Sequence, residues 1–279
     1  MIRRLSMDSA QRLLAQSIFL TVAGPNLVRD VAAVLASEHI PIMPLKGVLL
    51  QAIVYRTSFR PMADVDLLVP PDSFERARSA LRRAGFEVLG VGRDIFRRPG
   101  SILEVDLHRK LSMPSRSRLS AEDMFLRGRS DVDLFGVPVM VPDARDLYAH
   151  LLLHLTLDWL IRGGLHHPED FEIVPKALGL SVAAVVEHLR TVGMEPHAHL
   201  MLPLLEALSP GGFAGRLRAA LTLPAALRAR AELARQVCAR SGAGSMARRA
   251  AGVLLAPSLT KAIPEAVLRR VLDRQRSSR

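Results

Sequence analysis

RPMADVDLLV, residues 60–69, is the stretch of sequence that decides the fold. From Asp64 onward the side chains alternate between two faces, as they do in a half-buried β-strand. Asp64 and Asp66 then share one face with Leu68, and about 7 Å of strand separates the two acids. Two carboxylates on one strand face make a poor core but a good chelate for a hard divalent cation. The stretch therefore predicts a strand that carries a metal site.

A second strand is predicted where the sequence reads ILEVDLH, ending at His108. Its polar side chains, Glu104, Asp106 and His108, line one face. If this strand pairs with the first, Asp106 comes to lie beside Asp64 and Asp66. Three acids are the minimum for holding two Mg²⁺ ions about 3.5–4 Å apart. Glu104 shares the acidic face but suits a peripheral or structural position better than that of a ligand.

Outward from these strands, the sequence predicts an α+β domain with an α/β-like order of elements. Residues 40–45 form a short apolar stretch that suits a strand, and residues 46–55 suit a short helix. An amphipathic helix ends at Gly85, since glycine commonly follows the last helical residue. Two further strands complete the order strand, helix, strand, helix, strand, strand.

The flanking regions are predicted to be helical. We predict an N-terminal helical segment at residues 1–37, the α+β core at residues 38–142 and a helical region at residues 143–279. A break is expected at Gly24-Pro25-Asn26, because proline interrupts helices. The helices expected in the last region lie at residues 143–159, 168–178, 182–192, 196–208, 225–239 and 264–274.

These motifs together resemble the polymerase-β-type nucleotidyltransferase superfamily, whose signature is a glycine motif at a helix start, an Asp-hydrophobic-Asp strand and a third acid on a later strand. More closely, the chain resembles a bacterial group usually labelled uncharacterised nucleotidyltransferase. The pattern of that group is Leu-Lys-Gly, then Arg-x-x-x-Asp-h-Asp-h-Leu-Val, then h-Asp-h-His. The matching residues are Leu45-Lys46-Gly47, Arg60, Asp64, Asp66, Leu68-Val69 and Val105-Asp106-Leu107-His108. The hydroxyl residue that often follows the glycine in the superfamily is replaced here by Val48.

The resemblance implies both a fold and a chemistry. The fold is a polymerase-β-type core with a mixed sheet, followed by a helical C-terminal region. The chemistry is Mg²⁺-dependent transfer of a nucleotidyl group from a nucleoside triphosphate, with ATP as the expected donor, to a hydroxyl-bearing small molecule, peptide or protein. The residues implied as catalytic and as ligands of two Mg²⁺ ions are Asp64, Asp66 and Asp106. The residues implied in nucleotide binding are Lys46, Gly47, Arg60 and His108.

Some of these residues keep a second interpretation. Lys46 could simply be an exposed residue at a helix start. Arg60 could instead order its loop by pairing with an aspartate, and His108 could be a structural histidine. Asp131-Val132-Asp133 repeats the Asp-hydrophobic-Asp pattern, but it precedes Gly136 in a turn-like context and is not predicted to act in the site.

Histidines outside the motif are weaker candidates. His150, His154 and Asp158 are spaced one helical turn apart, which could bind a metal but favours a hydrogen-bonded helix face. The sequence leaves open whether His166-His167 and Asp170 approach the site.

Bulk composition narrows the function classes. The net charge of +11 could attract an acidic partner. The excess of arginine over lysine, however, indicates a GC-rich coding sequence, so the charge is not taken as evidence for nucleic-acid binding. Nucleic acid is therefore not the predicted partner. Aromatic residues make up only 4% of the chain, which disfavours an RNA-binding module that stacks bases. With Cys238 as the single cysteine, and neither a leader nor a membrane segment evident, a cytoplasmic location is expected.

Two alternatives to the main prediction remain. One is a transferase that acts on a protein or peptide, for example within a toxin–antitoxin pair, which makes a partner protein possible. The other belongs to a different class: a non-catalytic nucleotide-binding or scaffold protein that keeps the nucleotidyltransferase fold. Substitution of Asp64 or Asp66 would abolish catalysis but leave a scaffold function largely intact.

Overall fold

The computed structural model of the chain describes residues 7–56, 58–62, 64–89, 94–101, 103–111, 117–242, 245–258 and 262. The chain divides into two compact units. The first comprises Met1–Lys110 and Ala121–Asp143, and the second comprises Leu111–Ser120 and Ala144–Arg279. The three-part domain division stays a prediction.

The first unit is built on a five-stranded sheet in the order β1-β2-β5-β4-β3. β2 and β5 are parallel neighbours, whereas the other three pairings are antiparallel. A separate hairpin of β6 and β7 also belongs to this unit. The strands are β1 (Met43–Pro44), β2 (Val65–Leu68), β3 (Glu87–Val88), β4 (Ile95–Arg97), β5 (Val105–His108), β6 (Arg129–Leu134) and β7 (Val137–Val141). The mixed sheet among helices confirms the predicted α+β class.

The helices of the first unit include one that runs through a predicted break. They are α1 (Met7–Ala36), α2 (Lys46–Leu50), α3 (Phe74–Arg83) and α4 (Ala121–Arg127). The break expected at Gly24-Pro25-Asn26 is wrong, because α1 continues with Pro25 inside it. A Cβ on Gly24 would lie 3.6 Å from Val65 Cγ2 and 3.8 Å from Val48 Cγ2. Close packing of α1 against β2 and α2 therefore outweighs the helix-breaking tendency of proline.

Strand β2 is buried along its whole length, so the prediction of a half-buried strand is wrong. Asp66 is only 2% exposed, although it carries a charge. A carboxylate can be buried when partners neutralise it and satisfy its oxygens, as Lys46 and His108 do here. Asp64 lies in a bend just before β2, and its side chain is exposed.

The second unit is helical, and α5 forms its centre. Its helices are α5 (Ala144–Arg162), α6 (Asp170–Leu178), α7 (Val182–Thr191), α8 (Glu195–Leu208), α9 (Phe213–Ala220), α10 (Ala225–Arg240) and α11 (Met246–Leu254). Tyr148 of α5 is fully buried, with edge-on ring contacts to Phe171 at 5.4 Å and to Phe213 at 5.7 Å. The helix expected at residues 264–274 lies outside the described residues. None of the described helices combines the length and apolarity needed to cross a bilayer.

Candidate active site

The two parallel strands β2 and β5 bring Asp66 and Asp106 directly opposite each other. Val65 pairs with Val105 and Leu67 with Leu107 in the same register. Because side chains alternate along a strand, both acids lie on one face of the sheet. The predicted pairing of these two strands is confirmed.

One oxygen of Asp66 is held by two basic side chains. Lys46 Nζ donates to Asp66 Oδ1 at 2.7 Å, and His108 Nε2 lies 2.7 Å from the same oxygen. His108 Nε2 also lies 3.5 Å from Asp106 Oδ2. The side chain of Asp66 is 3% exposed and that of Lys46 is 16% exposed, so this ion pair is well shielded from water.

The backbone around Lys46 aims its side chain at Asp66. β1 pairs with β2, and the next residue, Leu45, donates its N–H to the backbone carbonyl of Asp66 at 3.0 Å. Lys46 then adopts φ of +47°, a left-handed conformation that costs a residue with a side chain about 1–2 kcal/mol. Strain of this kind persists where the surrounding structure fixes it, and functional sites are where it concentrates.

The three acids differ in how strongly they hold a proton. Burial raises the pKa of Asp66, but the Lys46 ammonium and the hydrogen bond and charge of His108 oppose it and bring the pKa below its usual value. Burial also raises the pKa of Asp106; His108 lowers it and Asp66 raises it, and the net shift is upward. Asp66 is therefore the fixed anion of the site, and Asp106 is the more basic carboxylate.

The charges of Asp66 and Asp106 influence the pKa of Asp64. Loss of water around its carboxylate, together with the negative charge of Asp66, raises its pKa to about 6. Its side chain is nevertheless exposed, which fits a carboxylate that rests against protein on one side and reaches solvent on the other. Asp64 is thus the exposed acid and Asp66 the buried acid of this part of the chain.

One cation could be ligated jointly by Asp66, Asp106 and His108. Each offers a ligand atom, and these atoms lie within 4.8 Å of one another; Asp64 is not a member of this group. Within the described ranges no other such group of histidine, cysteine and acidic side chains is found. The two carboxylate oxygens fit Mg²⁺, which favours oxygen ligands. Imidazole is not a typical Mg²⁺ ligand, so His108 fits better as the group that orients Asp66.

Gly47 and Arg60 pack together beside this cluster. A Cβ on Gly47 would lie 2.9 Å from Met62 Cβ and 3.1 Å from Arg60 Nη1, so the loop can approach α2 only at a glycine. Arg60 is 5% exposed and donates from Nη1 to the carbonyl of Pro61 at 3.4 Å, while its backbone N–H donates to Gln51 Oε1 at 3.0 Å. Both residues therefore have structural roles, and nucleotide binding by them stays a prediction.

The fold and the acidic site agree with a family comparison. The model of a family described as "Uncharacterised nucleotidyltransferase" matches residues 23–210, more than half of the chain. The chain belongs to this nucleotidyltransferase family. The matched region of the nucleotidyltransferase contains Lys46, Gly47, Arg60, His108 and all three acids. Comparisons with curated proteins and with solved structures give no match.

The weaker candidates have ordinary partners in the nucleotidyltransferase. Glu104 Oε1 lies 3.9 Å from Arg97 Nη1. His154 Nε2 lies 3.2 Å from Asp158 Oδ2, one helical turn along α5, as the spacing indicated. His167 Nδ1 lies 3.2 Å from Glu169 Oε1.

Asp131-Val132-Asp133 lies on β6, directly before the turn that its context indicated. The turn comes next, at Phe135 and Gly136, both of which have positive φ. Asp133 is exposed, which makes it a useful control for the acids of the site.

The pairing of Lys46 with Asp66 is the feature that sequence reasoning missed. The two residues are 20 positions apart, and the resemblance suggested phosphate as the partner of the lysine. No local signal indicates this pairing, because the burial of Asp66, which calls for a compensating charge, appears only in the folded structure.

Proposed function

We propose that this nucleotidyltransferase moves a nucleotidyl group from a nucleoside triphosphate, ATP in the first instance, to a hydroxyl-bearing acceptor with the help of Mg²⁺. The observation that carries the proposal is the register of Asp66 opposite Asp106 on parallel neighbouring strands of a chain in a nucleotidyltransferase family. The acceptor would be a small molecule, peptide or protein, and a partner protein could present it. The single, buried Cys238 is compatible with a reducing cytoplasm.

The three acids would bind the cations, each from a different position. Asp66 and Asp106 would hold the cations, with the exposed Asp64 completing the set. When bound, Mg²⁺ supplies charge neutralisation for the triphosphate and lowers the barrier to attack by the hydroxyl.

Of the two acids that lie opposite each other on β2 and β5, Asp106 is the one suited to take the proton of the attacking hydroxyl. Its side chain is 34% exposed and its pKa is raised, so it is both accessible and more basic than Asp66. In the reaction, the acceptor oxygen forms a bond to the α-phosphorus and the bond from that phosphorus to the pyrophosphate oxygen breaks. The hydroxyl proton goes to Asp106.

The basic residues would bind and orient. Lys46 would contact the phosphates through an ammonium that lies within the acidic site. His108 would hold Asp66 in its observed orientation through the 2.7 Å contact with Oδ1. Gly47 and Arg60 would keep the loop at residues 58–62 close to α2.

Calorimetric titration of each nucleoside triphosphate with Mg²⁺ tests the proposal. We expect the wild type to bind at least one triphosphate only when Mg²⁺ is present, and Asp66→Asn to lose this binding. Asp133→Asn is the matched control, because it makes the same change at an exposed aspartate of β6 and should bind as the wild type does. If the folded wild type binds none of the triphosphates, or if Asp66→Asn binds as well as the wild type, the proposal fails.

A second measurement separates catalysis from binding alone. The wild type with its bound triphosphate should release pyrophosphate when an acceptor is supplied from fractionated small molecules or proteins. Asp106→Asn should retain binding of the triphosphate better than Asp66→Asn does, yet release no pyrophosphate, because it lacks the base. Equal release by wild type and Asp106→Asn would exclude Asp106 as the proton acceptor.

A further inference from the structure

We infer that Lys46 competes with a divalent cation for Asp66, and that cation binding transfers the lysine from the carboxylate to the phosphates. Lys46 is then an exchangeable counter-ion of the site, which links the binding of the cation to the binding of the triphosphate. This inference rests on the proposed function, because it takes the acidic cluster to be the cation site.

The first argument is the occupancy of one oxygen. Lys46 Nζ and His108 Nε2 both lie 2.7 Å from Asp66 Oδ1. A carboxylate oxygen offers about two lone-pair positions, so these two nitrogens take both of them. An Mg²⁺ ion that binds through Oδ1, at about 2.0–2.1 Å, needs one of those positions. A cation that uses this oxygen must therefore displace one of the two nitrogens.

The second argument identifies the nitrogen that leaves. His108 belongs to β5 and also lies 3.5 Å from Asp106 Oδ2, so the sheet and two carboxylates hold its ring in place. Lys46 has a flexible four-carbon stem, and its ammonium makes the ion pair with Asp66. Replacement of the ammonium by a divalent cation also keeps the buried Asp66 charge compensated throughout. The lysine is therefore the group that exchanges.

The third argument is that the fold holds Lys46 over Asp66 at a cost in backbone energy. Lys46 has φ of +47°, while the N–H of Leu45 is anchored to the carbonyl of Asp66. An exposed lysine needed only to meet phosphates would not require a left-handed backbone. The conformation keeps the ammonium within the site, so that it remains close to the triphosphate after the cation has displaced it.

Two opposite changes in affinity follow for a variant without the ammonium. Lys46→Met should bind Mg²⁺ alone more tightly than the wild type, by about 10- to 100-fold, the equivalent of the one charge-assisted hydrogen bond that the cation no longer has to break. The same variant should bind the preformed complex of Mg²⁺ with inorganic triphosphate more weakly, because the phosphates lose their ammonium partner. A lysine with a merely structural role would move both affinities in the same direction.

Calorimetry on the full chain tests this, with Mg²⁺ alone as the first titrant and Mg²⁺–triphosphate as the second. The variants are wild type, Lys46→Met, Asp66→Asn and, as the matched control, Lys110→Met, which removes an exposed lysine of the same unit. Lys46→Gly is added because glycine accepts the left-handed backbone without strain, which protects the fold if Lys46→Met fails to fold. Lys110→Met should bind both titrants as the wild type does.

The outcomes separate the inference from the proposed function. Tighter Mg²⁺ binding and weaker Mg²⁺–triphosphate binding by Lys46→Met or Lys46→Gly support the exchange. If Asp66→Asn loses Mg²⁺ binding but the Lys46 variants bind Mg²⁺ as the wild type does, or more weakly, the exchange is refuted and the cation site stands. If Asp66→Asn binds Mg²⁺ as well as the wild type, the cation site itself is refuted, and the proposed function with it.

Discussion

Substitution of Gly47 by alanine is expected to destabilise the first unit, although alanine favours helices. The added Cβ would lie 2.9 Å from Met62 Cβ, whereas carbon atoms pack best at about 3.5–4.0 Å. Met62 Cβ is fixed to the backbone, so the loop that carries it must move. Overpacking of this kind lowers the free energy of unfolding by about 1–3 kcal/mol, whereas the higher helix propensity of alanine raises it by up to about 1 kcal/mol. With mid-range values for both effects, we expect a net loss of about 1–2 kcal/mol in the free energy of unfolding.

The assay must report on the first unit. Trp159, the single tryptophan, belongs to α5 of the second unit, so its fluorescence is the wrong probe. Hydrogen exchange read by mass spectrometry can instead follow the amides of α2 and β2 as denaturant is added. Gly24→Ala is the matched control, because its Cβ would make ordinary contacts at 3.6 and 3.8 Å within α1. That control should gain up to about 1 kcal/mol.

A double-mutant cycle with Met62 decides whether the clash is the cause. Met62→Gly removes the Cβ that Gly47→Ala would meet, whereas Met62→Ala keeps it. We expect a favourable coupling of about 1–2 kcal/mol between Gly47→Ala and Met62→Gly, and little coupling with Met62→Ala. If Gly47→Ala is as stable as the wild type, or if both Met62 variants couple equally, the steric explanation of Gly47 is refuted.

Three further predictions concern charged groups. The pKa of Asp64 is raised to about 6 in the folded protein, so folding favours the protonated carboxyl. The contribution of Asp64 to the free energy of unfolding is therefore fully present below its unfolded pKa and is lost as the pH rises through about 6. With a chelator present, Asp64→Asn should therefore unfold at a higher temperature than the wild type at pH 7.5, with a smaller difference at pH 5; a constant difference would contradict this. The carboxylate of Glu172 accepts hydrogen bonds from the first two N–H groups of α9 at 2.5 and 3.0 Å. Glu172→Gln should therefore lower the free energy of unfolding, measured in urea, by about 1–2 kcal/mol. Glu187→Gln, at an exposed site, should not change it measurably. Asp146 is fully buried, and its Oδ1 lies 2.8 Å from His188 Nε2. Asp146→Ala should therefore lower the free energy of unfolding by about 1–3 kcal/mol or more. A thermal unfolding midpoint equal to that of the wild type would show that the buried contact contributes little.

The two strands that carry Asp66 and Asp106 were predictable because they follow a local rule. Alternation of acidic and apolar residues indicates both β2 and β5, and acids on matching faces favour their pairing. The structure confirms that pairing with Asp66 opposite Asp106. The α+β class was predictable for the same reason, since runs of period two alternate with runs of helical period.

Other features depend on contacts between distant parts of the chain and could not be predicted locally. α1 continues through Pro25 because Gly24 packs on Val48 and Val65. Lys46 meets Asp66 because of a positive φ and the antiparallel pairing of β1, and neither is written in the hydrophobic pattern. The roles of the site residues in catalysis and nucleotide binding stay predictions.

Short helices were the hardest elements to predict. α9 and α11 were not expected, since α9 has only eight residues and both contain glycine, which weakens a helical signal. α9 is instead stabilised by the carboxylate of Glu172 in α6, a partner 41 residues away in sequence. A helix capped by a remote side chain carries no capping residue in its own sequence.

The chain passes between its two units three times, after Lys110, after Ser120 and after Asp143. Leu111–Ser120 belongs to the helical unit, where the N–H of Arg118 donates to the carbonyl of Val192 at 2.8 Å. A single protease cut after residue 143 would thus leave the first unit complete, but the helical fragment would lack Leu111–Ser120, which remains covalently joined to the first unit. For the same reason, recombination could not exchange the helical unit between related genes as a simple C-terminal tail. The exchange would have to include the internal segment too, and a single crossover before Leu111 would carry Ala121–Asp143 of the first unit with it.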